Sequence, residues 1–284
     1  MRIALINSGI GLLAPAAALH RLRPDADLIL APDPDGMPWG PRTPDDIAAR
    51  ALLCARATLR YQPDIMIMAC NTGSVHALDA MRAEFEPAIP VIGTVPAIKP
   101  AAAAHHTVAI WATVATTASA YQRRLIAEFG GPAEVTPVAC PGLADAVDAG
   151  DQAATAAAVA AAAGQTPAGC EAVVLGCTEY ELVADQITQA VPGAATFGSA
   201  MAVAAQALRR IPGGVDAGQP DSGAPASGAP ASGGGRLGTV RVLLSGRPAV
   251  LPTTALRYAE GRLLAPLVVA TGESELMAGT RVGG

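Results

Sequence analysis

Two segments of this chain are built on one plan. IMIMACNTGS (65–74) and AVVLGCTEYE (172–181) each run through an apolar strand, a small residue, a cysteine and then a threonine within two positions. A helical pattern follows each. Short apolar runs of this kind read as buried strands of a parallel sheet. In such sheets ligands bind beyond the carboxyl ends of the strands. Each segment therefore offers a thiol, with hydroxyl and amide donors beside it, at a binding edge. Two such halves facing each other put Cys70 and Cys177 on opposite sides of one cleft.

The rest of the chain supplies matching elements. IALIN (3–7), LIL (28–30), PVIG (90–93) and TVAIWAT (107–113) read as strands. TPDDIAARALLCARATLRYQ (43–62) reads as a helix, with Thr43 as cap, Pro44 at the first helical position and acids in the first turn. One helix is expected from Cys70 to about residue 85, and others over 117–130, 153–164 and 181–191. After a Gly/Pro/Ser/Ala stretch with an SGAPA repeat, TVRVLLSG (239–246) reads as a strand and TTALRYAEGRLL (253–264) as a helix. The repeat stretch has too little apolar bulk to offset its chain entropy and reads as a flexible linker. The last dozen residues read as frayed. Alternating strands and helices predict an α/β fold with parallel sheets.

Composition narrows the function classes. Half of the 284 residues are hydrophobic but only 3% are aromatic, so the core must be built from Ala, Val, Leu and Ile. A net charge of -5 with Lys99 as the single lysine argues against a nucleic-acid partner. No run is long and apolar enough for a membrane helix, and the N-terminal apolar stretch is too short for a signal peptide. Five cysteines without a Cys-x-x-Cys pair point to free thiols in a reducing cytoplasm and to no metal site. Cys54, Cys140 and Cys170 lack the strand-end context and read as structural.

The paired thiols suit inversion at a stereocentre. Such a reaction needs a base on one face of Cα and an acid on the other, and a thiolate and a thiol exchange those roles. The helix N-terminus after each cysteine is expected to favour the thiolate, and its amides to hold a carboxylate. Pyridoxal phosphate needs a Schiff-base lysine. Lys99 lies in VPAIKP, away from any Gly-rich phosphate loop, so no cofactor is expected.

Several motifs carry a resemblance over most of the chain. NSGIG (7–11), PWGPRTPDDI (38–47), MACNTGSVHALDAMR (68–82), PVIGTVPA (90–97), ATVATTASAYQ (112–122), ACPGLADAVDAG (139–150), LGCTEYELV (175–183) and VLLSGRP with ALRYAEG (242–261) follow one another in order. Together they resemble the aspartate/glutamate racemase superfamily, and within it the glutamate racemases. The resemblance implies two similar α/β domains with parallel sheets, related by a pseudo-two-fold, with the active site in the interdomain cleft. Residues 1–97 plus 236–272 would form the first domain, 98–209 the second and 210–235 the linker. It implies cofactor-independent racemisation of an amino acid, with D-glutamate for peptidoglycan precursors as the expected product. The catalytic set it implies is Cys70, Cys177, Glu179 and Asn7. The substrate contacts it implies are Asn7, Ser8, Trp39, Gly40, Asn71, Thr72, Thr178 and Glu179.

The departures from the family bear on substrate more than on reaction class. Asn7 stands where glutamate racemases have Asp, Glu179 where they have His, Trp39 where they have Tyr, and Leu12 in place of a Gly. Glu179 still shuttles a proton beside Cys177, whereas Cys70 faces a neutral Asn7. Aspartate or another amino acid as substrate stays open, as does a lapsed homologue that only binds a ligand. A homodimer is also admitted. His105 and His106 read as solvated loop residues, and His76 as core or surface. Asp148 reads as an exposed helix-end carboxylate, although the family carries an acid there.

Overall fold

The computed structural model describes residues 1–211 and 236–269. The expected linker, apart from its first two residues, and the expected frayed end lie outside the described residues. Ten strands are present among them: β1 (Arg2–Asn7), β2 (Asp27–Pro32), β3 (Ile65–Met68), β4 (Val91–Gly93), β5 (Thr107–Ala112), β6 (Glu134–Ala139), β7 (Ala172–Leu175), β8 (Ala195–Phe197), β9 (Val240–Leu244) and β10 (Arg247–Ala249). They form two sheets, in the orders β10-β9-β2-β1-β3-β4 and β6-β5-β7-β8. Every pairing is parallel except the β9–β10 hairpin. The α/β class with parallel-dominated sheets is as the sequence predicts.

The same strand order recurs in both halves. Counted along each half, β2-β1-β3-β4 and β6-β5-β7-β8 both run 2-1-3-4. The order reverses between β1 and β3 and between β5 and β7, which is where a doubly wound sheet opens a crevice. Cys70 and Cys177 follow the third strand of their respective halves.

Both faces of the central strands β1, β3, β5 and β7 are covered, so their sequences are apolar without alternation. In β1, Ile3 and Leu5 face one core layer, while Ala4 and Ile6 face the other. The first layer contains Leu12 from the 3-10 turn Ile10–Leu12, Leu13 and Leu19 from the helix Leu13–Leu22, and Val203, Ala204 and Leu208 from the helix Ala200–Arg210. By packing, the chain has therefore returned to the first sheet before residue 209. The second layer contains Trp39, Cys54, Met81 and Phe85. The second sheet has its own two layers, one around Trp111 and Leu175 and one around Ile110 and Val174.

Three expected helices are each broken in two. The helical run is distorted at Ala77 (φ -118°, ψ -15°), which divides it into Asn71–His76 and Leu78–Phe85. Ser119 is extended and its hydroxyl accepts from Gln122 N–H, ending Val114–Ala118 and starting Ala120–Phe129. Val183 separates Thr178–Glu181 from Ala184–Ala190. The hairpin β9–β10 turns on Ser245 and Gly246, both at positive φ (46° and 80°), as a two-residue turn requires.

Four hydrogen bonds tie the halves together around the crevices. Asn7 Nδ2 donates to Thr178 Oγ1 at 3.1 Å and Asn71 Nδ2 to Gly176 O at 2.7 Å. Ile10 N–H donates to Asp148 Oδ1 at 2.8 Å and the Tyr258 hydroxyl to Val147 O at 2.6 Å. Among the described residues no helix is long and apolar enough to cross a membrane.

Candidate active site

The crevices of the two sheets open into one cavity of about 440 Å³. Ser8 follows β1, Cys70 and Asn71 follow β3, and Cys177 follows β7. Of the ten residues expected at the site, eight line this cavity: Ser8, Trp39, Gly40, Cys70, Asn71, Thr72, Cys177 and Glu179. The other two, Asn7 and Thr178, are buried behind its wall at 0% and 2% exposure. Asn7 was expected to face Cys70 directly. It reaches that thiol only through Ser8, whose hydroxyl lies 3.2 Å from Asn7 Oδ1 and 3.8 Å from Cys70 Sγ.

Local chemistry fixes each thiol differently. Cys70 caps the helix Asn71–His76, its Sγ accepting from Gly73 N–H at 3.4 Å. Cys177 Sγ instead donates to Glu179 Oε2 at 2.9 Å. Glu179 is buried, and its Oε1 has no hydrogen-bond partner. Gly11 is what lets this pair sit so close to β1: a Cβ there would strike Thr178 Oγ1 and the Glu179 carboxylate.

Trp39 is held from behind. Its Nε1–H donates to Asp33 Oδ2 at 3.1 Å, and the same carboxylate accepts from Ser245 Oγ at 2.7 Å and Arg50 Nη1 at 3.2 Å. Its ring packs near Gly73, where a Cβ would meet both Trp39 and Met68. The indole N–H is thus spent on the core, and the cavity meets an apolar wall.

The expected thiolates are not what the protein favours by itself. Burial, followed by the Glu179 carboxylate, pushes Cys70 up to about 11. Burial and the same carboxylate hold Cys177 well above the ordinary thiol range. The helices after the two cysteines are short, at six and four residues, and their N-terminal dipoles do not outweigh desolvation. An added cation near Glu179 is what this arrangement needs in order to ionise a thiol, and an amino acid's ammonium is such a cation.

Asp148 corrects the sequence reading. It is part-buried, lines the cavity and accepts from Ile10 N–H rather than standing in solvent. Burial, and then Glu179, hold its carboxyl well above the usual carboxylate range. Thr113, Thr116 and Cys140 also line the cavity and were not expected there. Their motifs, ATVATTASAYQ and ACPGLADAVDAG, were the only signal. Cys54 and Cys170 are buried in the cores. His76 and His106 are exposed, whereas His105 is part-buried with its ring edge-on to Phe197. Among the described residues no three His, Cys, Asp or Glu side chains cluster as a metal site.

Residues 12–208 match the model of the Asp/Glu/Hydantoin racemase family. The chain belongs to this family. A glutamate racemase of Herpetosiphon aurantiacus is 35% identical over 213 residues, 73% of this chain and 83% of that protein. One from Pseudomonas putida is 33% identical over 219 residues, 75% of this chain and 82% of that protein. The structure is similar to that of Escherichia coli glutamate racemase in complex with L-glutamate and the activator UDP-MurNAc-Ala. The TM-score is 0.71 at 26% identity, covering 90% of this chain and 91% of that one. Both cysteines that follow a third strand, Cys70 and Cys177, line the cavity of this family member.

Proposed function

We propose that the protein is a cofactor-independent glutamate racemase, interconverting L- and D-glutamate between Cys70 and Cys177. The observation that carries this reading is that the two thiols come from different sheets and line one cavity. One sulfur, as thiolate, takes the Cα proton; the opposite thiol returns a proton to the other face of the planar carbanion. For Cys177 the thiol proton passes to Glu179, which already accepts it. For Cys70 the thiolate is held by Gly73 N–H.

Ser8, Trp39, Gly40, Asn71 and Thr72 from the first half and Glu179 from the second are the substrate contacts of this reading. Among the described residues no Lys or Arg lines the cavity, so the substrate carboxylates fall to hydroxyls and backbone amides. Asp148 and Glu179 receive the ammonium. The two halves act as domains about a pseudo-two-fold, and D-glutamate would serve peptidoglycan precursors in the cytoplasm. Glu179 beside Cys177 also favours a second reading, aspartate as the substrate.

Deuterium uptake at Cα from D2O tests the scheme with both enantiomers of glutamate and of aspartate. Exchange that is lost in both Cys70→Ser and Cys177→Ser supports it. Full exchange in either variant would sink it.

A further inference from the structure

A single file of hydrogen bonds joins the two thiols behind the cavity wall. From Cys70 Sγ it runs to Ser8 Oγ (3.8 Å) and on to Asn7 Oδ1 (3.2 Å). From Asn7 Nδ2 it runs to Thr178 Oγ1 (3.1 Å), on to Glu179 Oε2 (3.3 Å) and so to Cys177 Sγ (2.9 Å).

The direction of each bond follows from its neighbours. The Asn7 amide cannot turn over: Nδ2 also donates to Ala69 O at 2.7 Å, and Oδ1 also accepts from Gly9 N–H at 3.4 Å. Its nitrogen must therefore donate to Thr178 Oγ1. A hydroxyl carries one proton, and that of Thr178, already accepting from Asn7, is directed at Glu179 Oε2. The Thr178 proton is the only hydrogen bond to the Glu179 carboxylate besides that of Cys177 among the described residues, since Oε1 has none.

We propose that Asn7, although it belongs to the first half and to the strand beside Cys70, is a positioning residue for Cys177, acting through the hydroxyl proton of Thr178 on the Glu179 carboxylate. An acid in its place has no proton to give Ala69 O or Thr178 Oγ1 once ionised. The Thr178 hydroxyl then turns back toward residue 7, and Glu179 Oε2 is left to Cys177 alone. Oε2 with a single donor holds the thiol proton harder.

The proposal rests on the racemase reading for its catalytic meaning, but its test does not need turnover. The probe is iodoacetamide, with site-resolved mass spectrometry of Cys70 and Cys177 alkylation as a function of pH. The titratable groups around Cys177 are Glu179, Cys70 and Tyr180, with Asp148 beyond Glu179. Thr178→Val is expected to raise the alkylation midpoint of Cys177 by about one pH unit, the scale of one charge-assisted hydrogen bond. Asn7→Ala raises it in the same sense, and in the Thr178→Val background it adds nothing further. Asn7→Asp, which keeps the side-chain volume, gives the same sign. Thr178→Ser, which keeps the hydroxyl, reverses most of the Thr178→Val shift. Ser8→Ala moves Cys70 and not Cys177.

Additive shifts for Asn7→Ala and Thr178→Val overturn the proposal, as does a Cys177 midpoint unmoved by either Asn7 variant. Exchange of deuterium into glutamate by the unmodified protein is measured alongside. Its absence counts against glutamate as substrate and leaves the alkylation result to decide the role of Asn7.

Discussion

The Cys177 thiol donates to Glu179 Oε2 at 2.9 Å, whereas the Cys70 thiol has no carboxylate in hydrogen-bond contact. The two sulfurs occupy equivalent places after the third strand of each half, yet their surroundings differ in charge. Cys177 has a carboxylate that accepts a hydrogen bond from its thiol. Cys70 Sγ accepts from one neutral donor, Gly73 N–H, and faces a Ser8 hydroxyl whose proton goes to Asn7 Oδ1. The arrangement is thus asymmetric in hydrogen bonding while symmetric in topology.

Glu179→Gln removes the base and keeps the side-chain volume. The direction in which Cys177 takes the Cα proton is expected to slow by about 10²–10⁴, the usual scale of a positioned general base. Washing deuterium into each enantiomer separately, before racemisation is complete, reads the two directions apart. Equal slowing in both directions contradicts the asymmetry. Site-resolved alkylation should also show the Cys177 midpoint falling, because a neighbouring negative charge has gone.

The fold was legible where burial leaves continuous apolar runs, and the site where chemistry sits at strand ends. β1, β3 and β7 stand out as such runs, and Cys70 and Cys177 follow from them. Of the four edge strands only β4 was legible, as PVIG (90–93). β6 carries Pro137, which only an edge position tolerates, and β8 and β10 are three residues each. Helix breaks at Ala77, Ser119 and Val183 were hidden because the apolar spacing continues across them. Asp148 looked solvated because a carboxylate near a helix end normally is; only the return of the 3-10 turn at Ile10 places an N–H against it. The thiolate expectation failed on magnitude, since a dipole of one or two turns is worth less than full burial of a charge.

Trp39→Ala tests the wall of the cavity. Trp39 is 1% exposed and sits in the core layer with Met68 and Met81. Its loss is expected to cost about 3–5 kcal/mol of stability and to leave Asp33 with one donor fewer. Trp39→Phe keeps most of the packing and isolates the hydrogen bond to Asp33, for about 1–2 kcal/mol. Urea unfolding of the two variants separates packing from hydrogen bonding. A Trp39→Ala cost below that of Trp39→Phe contradicts the wall as described.

Buried thiols set the alkaline limit of the fold. Cys70 is pushed up to about 11 and Cys54 and Cys140 to about 12, each from an ordinary value of 9.0 and each chiefly by burial. A pKa raised in the folded state means that the unfolded chain loses its proton first. The resulting stability is fully present below pH 9.0 and is lost as pH rises toward 11 to 12. Tm measured from pH 7 to 11 should be level at first and then fall. Cys54→Ala should flatten the fall, because Cys54 no longer ionises on unfolding; an unchanged slope would count against it.

Asp148→Asn gives the opposite sign at neutral pH. The Asp148 carboxyl is held well above its ordinary value by burial and then by Glu179, so ionising it works against the folded state. An amide oxygen still accepts from Ile10 N–H, which Asp148 Oδ1 now does at 2.8 Å. The variant is therefore expected to be more stable than the parent at pH 7, by on the order of 1 kcal/mol. The gain should shrink as pH falls below the raised folded value and vanish below 3.8, where the acid is neutral both folded and unfolded. On the proposed reading, in which Asp148 and Glu179 face the substrate ammonium, glutamate turnover should fall in the same variant. Thermal unfolding from pH 3 to 8 with and without the substitution checks the sign, and a loss of stability at pH 7 would show that the Asp148 charge is compensated within the fold.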